Sequence, residues 1–339
     1  MLYPITFEPR FKERIWGGRR LEALYGKRLP PDVPIGESWE ISDRPGDESV
    51  IANGPLAGRT LRDLMLERRE DLLGGSAPVS GDRFPLLCKI LDARQKLSLQ
   101  VHPRQADLGD PKTEMWYIAD ADPGAELFVG LKQGVGRSQF EEALDAGRVA
   151  DCFHRITVTR GDSMFLPSGR VHAIGAGLVI FEIQQNSDTT FRVYDWDRLG
   201  LDGKPRELHI PQSLASIDFD DFEPTPIDAS PTRAGAFTVR RLVADPLFGV
   251  WLLHAHRAEE LQQRVSRCGV LACVTGSVSV RGGGRSETLQ AGGFCLLPAS
   301  VSNTRIVPAA GAELLLVDVG AERQPIAVVA DRIERPSEN

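Results

Sequence analysis

The stretch KLSLQVHP (Lys96–Pro103) reads as a strand of divided character: Leu97, Leu99 and Val101 alternate with Ser98, Gln100 and His102. With a period of two, the apolar set faces one way and the polar set the other. Downstream, PSGRVHAIG (167–175) completes the pattern Gly161-x5-Pro167-x-Gly169-x2-His172. A strand, a tight turn and a histidine entering the next strand follow from it, the glycine and proline fixing the turn and so the aim of the imidazole.

Around these stretches the chain is built mostly of short apolar runs broken by Gly, Pro and Asp, as many short strands require. Candidate strands lie near 86–91, 97–102, 114–119, 125–129, 155–159, 163–166 and 178–185. Helices are expected over TLRDLMLERREDLL, capped by Thr60, and SQFEEALDAG, capped by Ser138 and closed by Gly147, within helical segments at about 57–75 and 133–150 that flank the first domain. A third begins at Pro211. The Pro-, Asp- and Ser-rich segment 223–235 reads as a linker, which divides the 339 residues into a first domain 1–222, a second domain 236–323 and a tail 324–339.

Composition narrows the partners. Forty basic and forty-seven acidic residues leave a net charge of −7, so no global field recruits nucleic acid or an anionic membrane, and a phosphate-bearing ligand must meet a local cluster of Lys and Arg. The five cysteines have no CxxC spacing and sit in apolar runs, as buried thiols in a reducing compartment do. No signal-peptide core or membrane-length apolar run is present, and a cytoplasmic location is expected. A monomer and a homodimer are equally compatible with these features.

An internal repeat joins the two halves: RGDSMFLPSGRVHAI (160–174) aligns with AGGFCLLPASVSNTR (291–305) at a constant offset of 131 residues, with His172 matched by Asn303. Duplication with loss of the histidine suggests one working site and one metal-free scaffold. The Gly/Pro/His pattern of the first copy resembles the second motif of cupins, small β-barrels whose inward-facing positions often hold a metal. That resemblance implies a mainly β fold of two cupin-like, jelly-roll barrels. Gln100 and His102, at i and i+2, can both point into such a barrel, and Glu114 follows at the head of EMWYIAD. Two imidazoles, one carboxylate and a neutral amide oxygen (His102, His172, Glu114, Gln100) suit Zn²⁺ with a replaceable water. A single carboxylate leaves the ion a net positive charge and hence Lewis acidity.

The ordinary reading of each residue was weighed beside this one. A single strand histidine is more often a hydrogen-bonded structural group, and His154, His209, His254 and His256 are assigned so. His254 and His256 are spaced like a ligand pair, yet the matching later position is Asn303 and no suitable carboxylate follows. The aromatic run RVYDWD reads as core packing and a turn rather than a sugar platform. Most Lys and Arg are solvated surface charges; Lys89 is set apart because it interrupts the apolar run FPLLCKIL.

FPLLCKILDARQKLSLQVHP, KTEMWYI, PSGRVHAIG and NSDTTFRVYDWDR, in that order, with IWGG and GESWEIS nearer the start, resemble the type I phosphomannose isomerases of the shorter bacterial form from about residue 5 to 220. The resemblance implies a Zn²⁺-dependent exchange of mannose 6-phosphate and fructose 6-phosphate, with Gln100, His102, Glu114 and His172 as metal ligands. Other polar site groups carried over are Lys89, Ser98, Lys112, Asp188 and Arg192. Aldose–ketose exchange needs a base near C2, a cation near the developing oxyanion and a clamp for phosphate. Arg192 suits the oxyanion, Lys112 and Asp188 are rivals for the base, and Lys89 with Ser98 suits the phosphate. A bound cation and Arg192 would depress the Lys112 pKa. Two departures are Thr113, where many relatives have proline, and Arg170, where a small or neutral residue is common. The alternatives are another metal-dependent sugar-phosphate isomerase or epimerase, an Fe²⁺ oxygenase, and a non-catalytic sugar-binding cupin.

Overall fold

A computed structural model of the chain describes residues 1–74, 81–263, 267–301 and 303–320, with the backbone of 327–328. The expected tail 324–339 otherwise lies outside the described residues. The chain divides into two compact units, a site-bearing unit (Phe11–Trp39 and Leu87–Ile227) and a second unit (Met1–Arg10, Glu40–Leu86 and the chain from Asp228). This differs from the two continuous domains expected. The first ten residues and Glu40–Leu86 find their backbone partners late in the chain: Ile5 exchanges hydrogen bonds with Leu296, and Ala299 N–H donates to Leu72. The division falls at Ile227/Asp228, inside the expected linker, but Thr232–Ala234 of that segment is already a strand.

In the site-bearing unit the strands are β1 (Arg10–Gly18), β2 (Ile35–Ile41), β3 (Leu86–Ala93), β4 (Leu99–Val101), β5 (Glu114–Ala121), β6 (Glu126–Leu131), β7 (Phe153–Thr157), β8 (Ser163–Leu166), β9 (His172–Ile174), β10 (Leu178–Gln185) and β11 (Phe191–Tyr194). They form a six-stranded sheet, β1-β2-β3-β10-β5-β8, and a five-stranded one, β11-β4-β9-β6-β7. Where register is defined, neighbours are antiparallel. The core lies between the sheets: Trp116, Ile118, Leu166 and Ile180 from one meet Leu127, Val129 and Ile174 from the other. Truncating one such buried Leu or Ile to Ala costs about 2–5 kcal/mol.

The second unit continues with β12 (Thr232–Ala234), β13 (Phe237–Ala244), β14 (Phe248–Ala255), β15 (Leu261–Gln263), β16 (Gly269–Thr275), β17 (Ser277–Gly282), β18 (Arg285–Gln290), β19 (Phe294–Leu297), β20 (Arg305–Pro308), β21 (Glu313–Val319) and β22 (Ala327–Val328). Its sheets run β12-β13-β14-β21-β16-β19 and β18-β17-β20-β15-β22. Each strand of the first unit thus has a counterpart eleven strands later, in the same neighbourhood. The repeat seen in the sequence is β8, the turn that crosses to the other sheet and β9, with its copy at β19 and β20. Asn303, the sequence partner of His172, is exposed in a left-handed turn with φ 62°, beside the buried Thr304. The fold is mainly β and antiparallel.

The helices are α1 (Arg20–Tyr25), α2 (Leu61–Leu73), α3 (Arg137–Asp145) and α4 (Ile210–Ser216). Thr60 caps α2 in a reciprocal capping box with Asp63. α2 belongs to the second unit, so it does not flank the first as expected. α3 starts one residue before Ser138, with Gly136 as its cap and no side-chain hydrogen bond there. α3 and α4 cover the outer side of the five-stranded sheet, where Phe140, Val149, Phe153 and Ile217 pack on Leu99 and Val101. That covering explains why the KLSLQVHP strand is apolar on one face and polar on the other. The five cysteines are buried. No described helix is long and apolar enough to cross a membrane.

Candidate active site

The inward register of the site-bearing unit changes character within two residues on several strands. Ile118 and Trp116 of β5 lead to Glu114, Ile180 of β10 leads to Glu182 and Gln184, and Ile174 of β9 leads to His172. One end of the interior is therefore apolar and the other carries ionisable groups that water scarcely reaches.

His102, Glu114 and His172 converge there, each offering a ligand atom within 4.8 Å of the others. His102 Nε2 lies 3.5 Å from Glu114 Oε2, and His172 Nε2 lies 3.4 Å from Glu114 Oε1. The Nδ1–H of His102 donates to the Thr189 carbonyl at 2.9 Å, and that of His172 to the Arg170 carbonyl at 2.9 Å. Carbonyls only accept, so each proton is fixed on Nδ1 and each Nε2 lone pair turns inward. Burial is the largest influence on both rings and pushes both pKa values down, His172 to about 3 against the opposing pull of Glu114. Burial opposes ionisation of Glu114, but Lys112 and His102 outweigh it and hold the carboxyl well below its usual range. Neutral imidazoles and an ionised carboxylate are the protonation states a divalent ion requires. Glu114 Oε1 is buried and accepts no hydrogen bond among the described residues. The donor set fits a borderline divalent ion.

Gln100 stands beside His172, its Nε2 donating to His172 Nε2 at 3.2 Å, and Ser98 Oγ donates to Gln100 Oε1 at 3.4 Å. Lys112 Nζ is 2.6 Å from Glu114 Oε2 and 3.2 Å from His102 Nε2. Burial works to lower its pKa, but Glu114 and Glu182 prevail and hold it above the ordinary lysine value. Arg192 lies opposite Gln100 in the β11–β4 register, with Nη1 donating to the Glu207 carbonyl at 2.7 Å. His209 brackets its backbone, accepting from Arg192 N–H at 3.1 Å and donating to the Arg192 carbonyl at 2.8 Å.

These groups open onto one cavity of about 550 Å³, lined by Lys89, Ser98, Gln100, Lys112, Asp188 and Arg192 among others. Lys112 joins this cavity wall to the His102–Glu114–His172 cluster through its contacts with Glu114 and His102. The structure also adds two carboxylates. Glu182 is buried, accepts from Trp116 Nε1 at 2.9 Å and lies 3.4 Å from Lys89 Nζ. Glu37 accepts from Trp39 Nε1 at 2.6 Å and from Arg14 Nε at 2.8 Å, and lies 3.7 Å from Lys89 Nζ. Burial alone would raise the pKa of Glu37, but Lys89 and Arg14 bring it down to about 2. The signal for Glu182 was present in LVIFEIQQ, where it interrupts an apolar run as Lys89 does.

The turn before His172 is firmly held. Gly169 has φ 94°, a left-handed value that favours glycine. Arg170, whose contact the sequence left open, grips Asp221 with two bonds of 2.8 and 2.7 Å and donates to the Phe165 carbonyl at 2.7 Å. Trp196 and Asp197 turn the chain with φ 58° and 53°, and Trp196 packs against Phe128 and Tyr194, as the packing reading of RVYDWD requires.

Comparison with known proteins agrees with this geometry. The family model for phosphomannose isomerase type I, catalytic domain, matches residues 5–141. The mannose-6-phosphate isomerase of Streptococcus mutans is 35% identical over 312 residues, covering 89% of this chain and 95% of that protein. Mannose-6-phosphate isomerase ManA of Bacillus subtilis is 43% identical over 223 residues, covering 63% of this chain and 68% of that protein. The crystal structure of the mannose 6-phosphate isomerase from Bacillus subtilis superposes with a TM-score of 0.84 at 33% identity, covering 93% of this chain and 99% of that one. With the Streptococcus mutans relative matched over 95% of its length at 35% identity and the His–Glu–His cluster in place, the chain belongs to the type I phosphomannose isomerase family.

Proposed function

We propose that the chain interconverts mannose 6-phosphate and fructose 6-phosphate through an enediol, using Zn²⁺ held in the first of two cupin-like barrels. The observation that carries this reading is the His102–Glu114–His172 cluster, with Lys112 bridging from Glu114 to the wall of a cavity that Asp188 and Arg192 also line.

His102, His172 and Glu114 would hold the ion, with Gln100 joining through its amide oxygen once the amide is turned end for end. Zn²⁺ bound there supplies Lewis acidity toward sugar oxygens. The remaining work belongs to the chain. Arg192 keeps its charge and offers a planar pair of donors to the oxygens at C1 and C2 as negative charge grows on them. Lys112 or Asp188 moves the proton between the two carbons, and both stand on the cavity wall. Lys89 and Ser98 hold the phosphate. Trp116 closes one side of the cavity and keeps bulk water from the reacting carbons.

A coupled assay with mannose 6-phosphate, run with and without a chelator, tests the proposal. Activity lost to the chelator and restored by Zn²⁺ supports it. Protein that binds metal yet does not turn over the sugar phosphate indicates a sugar-binding barrel instead. Solvent deuterium at C1 of the fructose 6-phosphate formed, followed in Lys112→Met and Asp188→Asn variants, separates the two candidate bases: the true base is the one whose loss abolishes carbon exchange.

A further inference from the structure

The pair His254 and His256, assigned as structural because no suitable carboxylate follows at a ligand spacing, acquires one from a neighbouring strand. We propose that His254, His256 and Glu313 form a second, peripheral site for a divalent transition-metal ion such as Zn²⁺ or Ni²⁺ on the outer face of the second unit. On β14, Trp251, Leu253 and Ala255 point into the core, so the alternate position His254 faces outward and His256 follows in the same direction. On β21, Leu314 and Leu316 are the core residues and Glu313 faces outward. His254 and Glu313 are direct partners in the β14–β21 register, with His254 Nδ1 4.0 Å from Glu313 Oε1. The two imidazoles stand edge to face with centroids 4.8 Å apart.

Neighbouring groups hold these three in place. Thr238 Oγ1 and His256 Nε2 share a hydrogen bond of 2.8 Å, and Thr275 Oγ1 donates to Glu313 Oε2 at 3.5 Å. Thr238, His254, Glu313 and Thr275 lie in one row across four adjacent strands, β13, β14, β21 and β16. Two imidazoles and one carboxylate, leaving positions open to water, form a donor set for Zn²⁺, Ni²⁺ or Cu²⁺ rather than Mg²⁺ or Ca²⁺. The ion would reach the solvent-facing ring of His256 by rotation of that side chain. This site is independent of the proposed isomerase reaction, because none of its residues lines the cavity described above.

Equilibrium dialysis of the metal-loaded full chain against Ni²⁺ tests the proposal. The wild type is expected to take up one further equivalent per chain. The His254→Gln/His256→Gln variant should lose that equivalent while keeping the buried one and its isomerase turnover, and Glu313→Gln should weaken the second equivalent by about tenfold or more. A His172→Ala variant serves as a check, because it should retain the peripheral equivalent without the buried one. The proposal is overturned if the wild type takes up no second equivalent below about 1 mM Ni²⁺. It is equally overturned if the double histidine variant still binds that equivalent.

Discussion

At the inward start of β5 the site-bearing unit places Glu114, opposite Leu166 of β8 and Gln184 of β10; at the same point of β16 the second unit places Gly269, opposite Leu297 of β19 and Asp318 of β21. Two residues earlier, Lys112 of the first unit corresponds to Arg267 of the second. Around Glu114 stand two imidazoles and an ammonium. Around Gly269 the buried Arg267 guanidinium donates to Asp318 at 2.6 Å, and Gln263 donates to the Arg267 carbonyl at 2.8 Å. One interior position thus keeps two imidazoles beside its carboxylate–ammonium pair. The other has closed into a pair that neutralises itself. An identical strand order does not preserve a site; the inward side chains do, and a few changes in the same interior turn a reactive centre into a stabilising one.

Four substitutions probe this contrast. His172→Ala is expected to have the largest effect, abolishing both the buried metal equivalent and turnover, read by metal analysis and the coupled assay; retention of that buried equivalent in the variant would refute the ligand assignment. Arg267→Ala should destabilise the chain by about 3–5 kcal/mol in denaturant unfolding, because it strands a buried carboxylate, while the combined Arg267→Met/Asp318→Leu variant should recover most of that loss. If the single and double variants unfold alike, the self-neutralising pair is not what stabilises the second unit. Arg192→Ala should keep its metal and lose about 10²- to 10³-fold in kcat, the usual effect of removing one preorganised oxyanion donor. Loss of metal in that variant would show that Arg192 supports the ligands instead. Asn303→Ala is expected to be nearly silent, within about 0.5 kcal/mol in stability and without change in metal content, since it sits exposed in a turn. A loss of metal there would reverse which copy does the work.

The sequence was most legible where a rule of local chemistry acts alone. The Thr60 cap, the alternation of KLSLQVHP, the interruption of FPLLCKIL by Lys89 and the Gly169 turn before His172 all correspond to observed features. It was least legible where partners come from far along the chain. Glu40–Leu86 carries its own helix signal, yet nothing in that signal tells which unit buries Leu64, Leu72 and Leu73. The cap of α3 was misplaced because Ser138 is a good capping type, whereas the backbone enters the helix at Gly136 with φ −83° and ψ −176°. Glu37 and Glu182 were passed over because each gains its meaning only beside Lys89, Arg14 or Trp116, on strands that the alternation places inward without naming their neighbours. The carboxylate for His254 escaped notice for the same reason, lying one strand across rather than a few residues ahead.

Both site histidines owe their tautomer to main-chain oxygens, those of Thr189 and Arg170. No side-chain replacement at either position deletes a carbonyl, so random drift can remove an imidazole but cannot easily misorient one. In a lineage that copies this barrel, ring orientation is inherited with the backbone trace, and regaining the chemistry would demand the right amino acid alone.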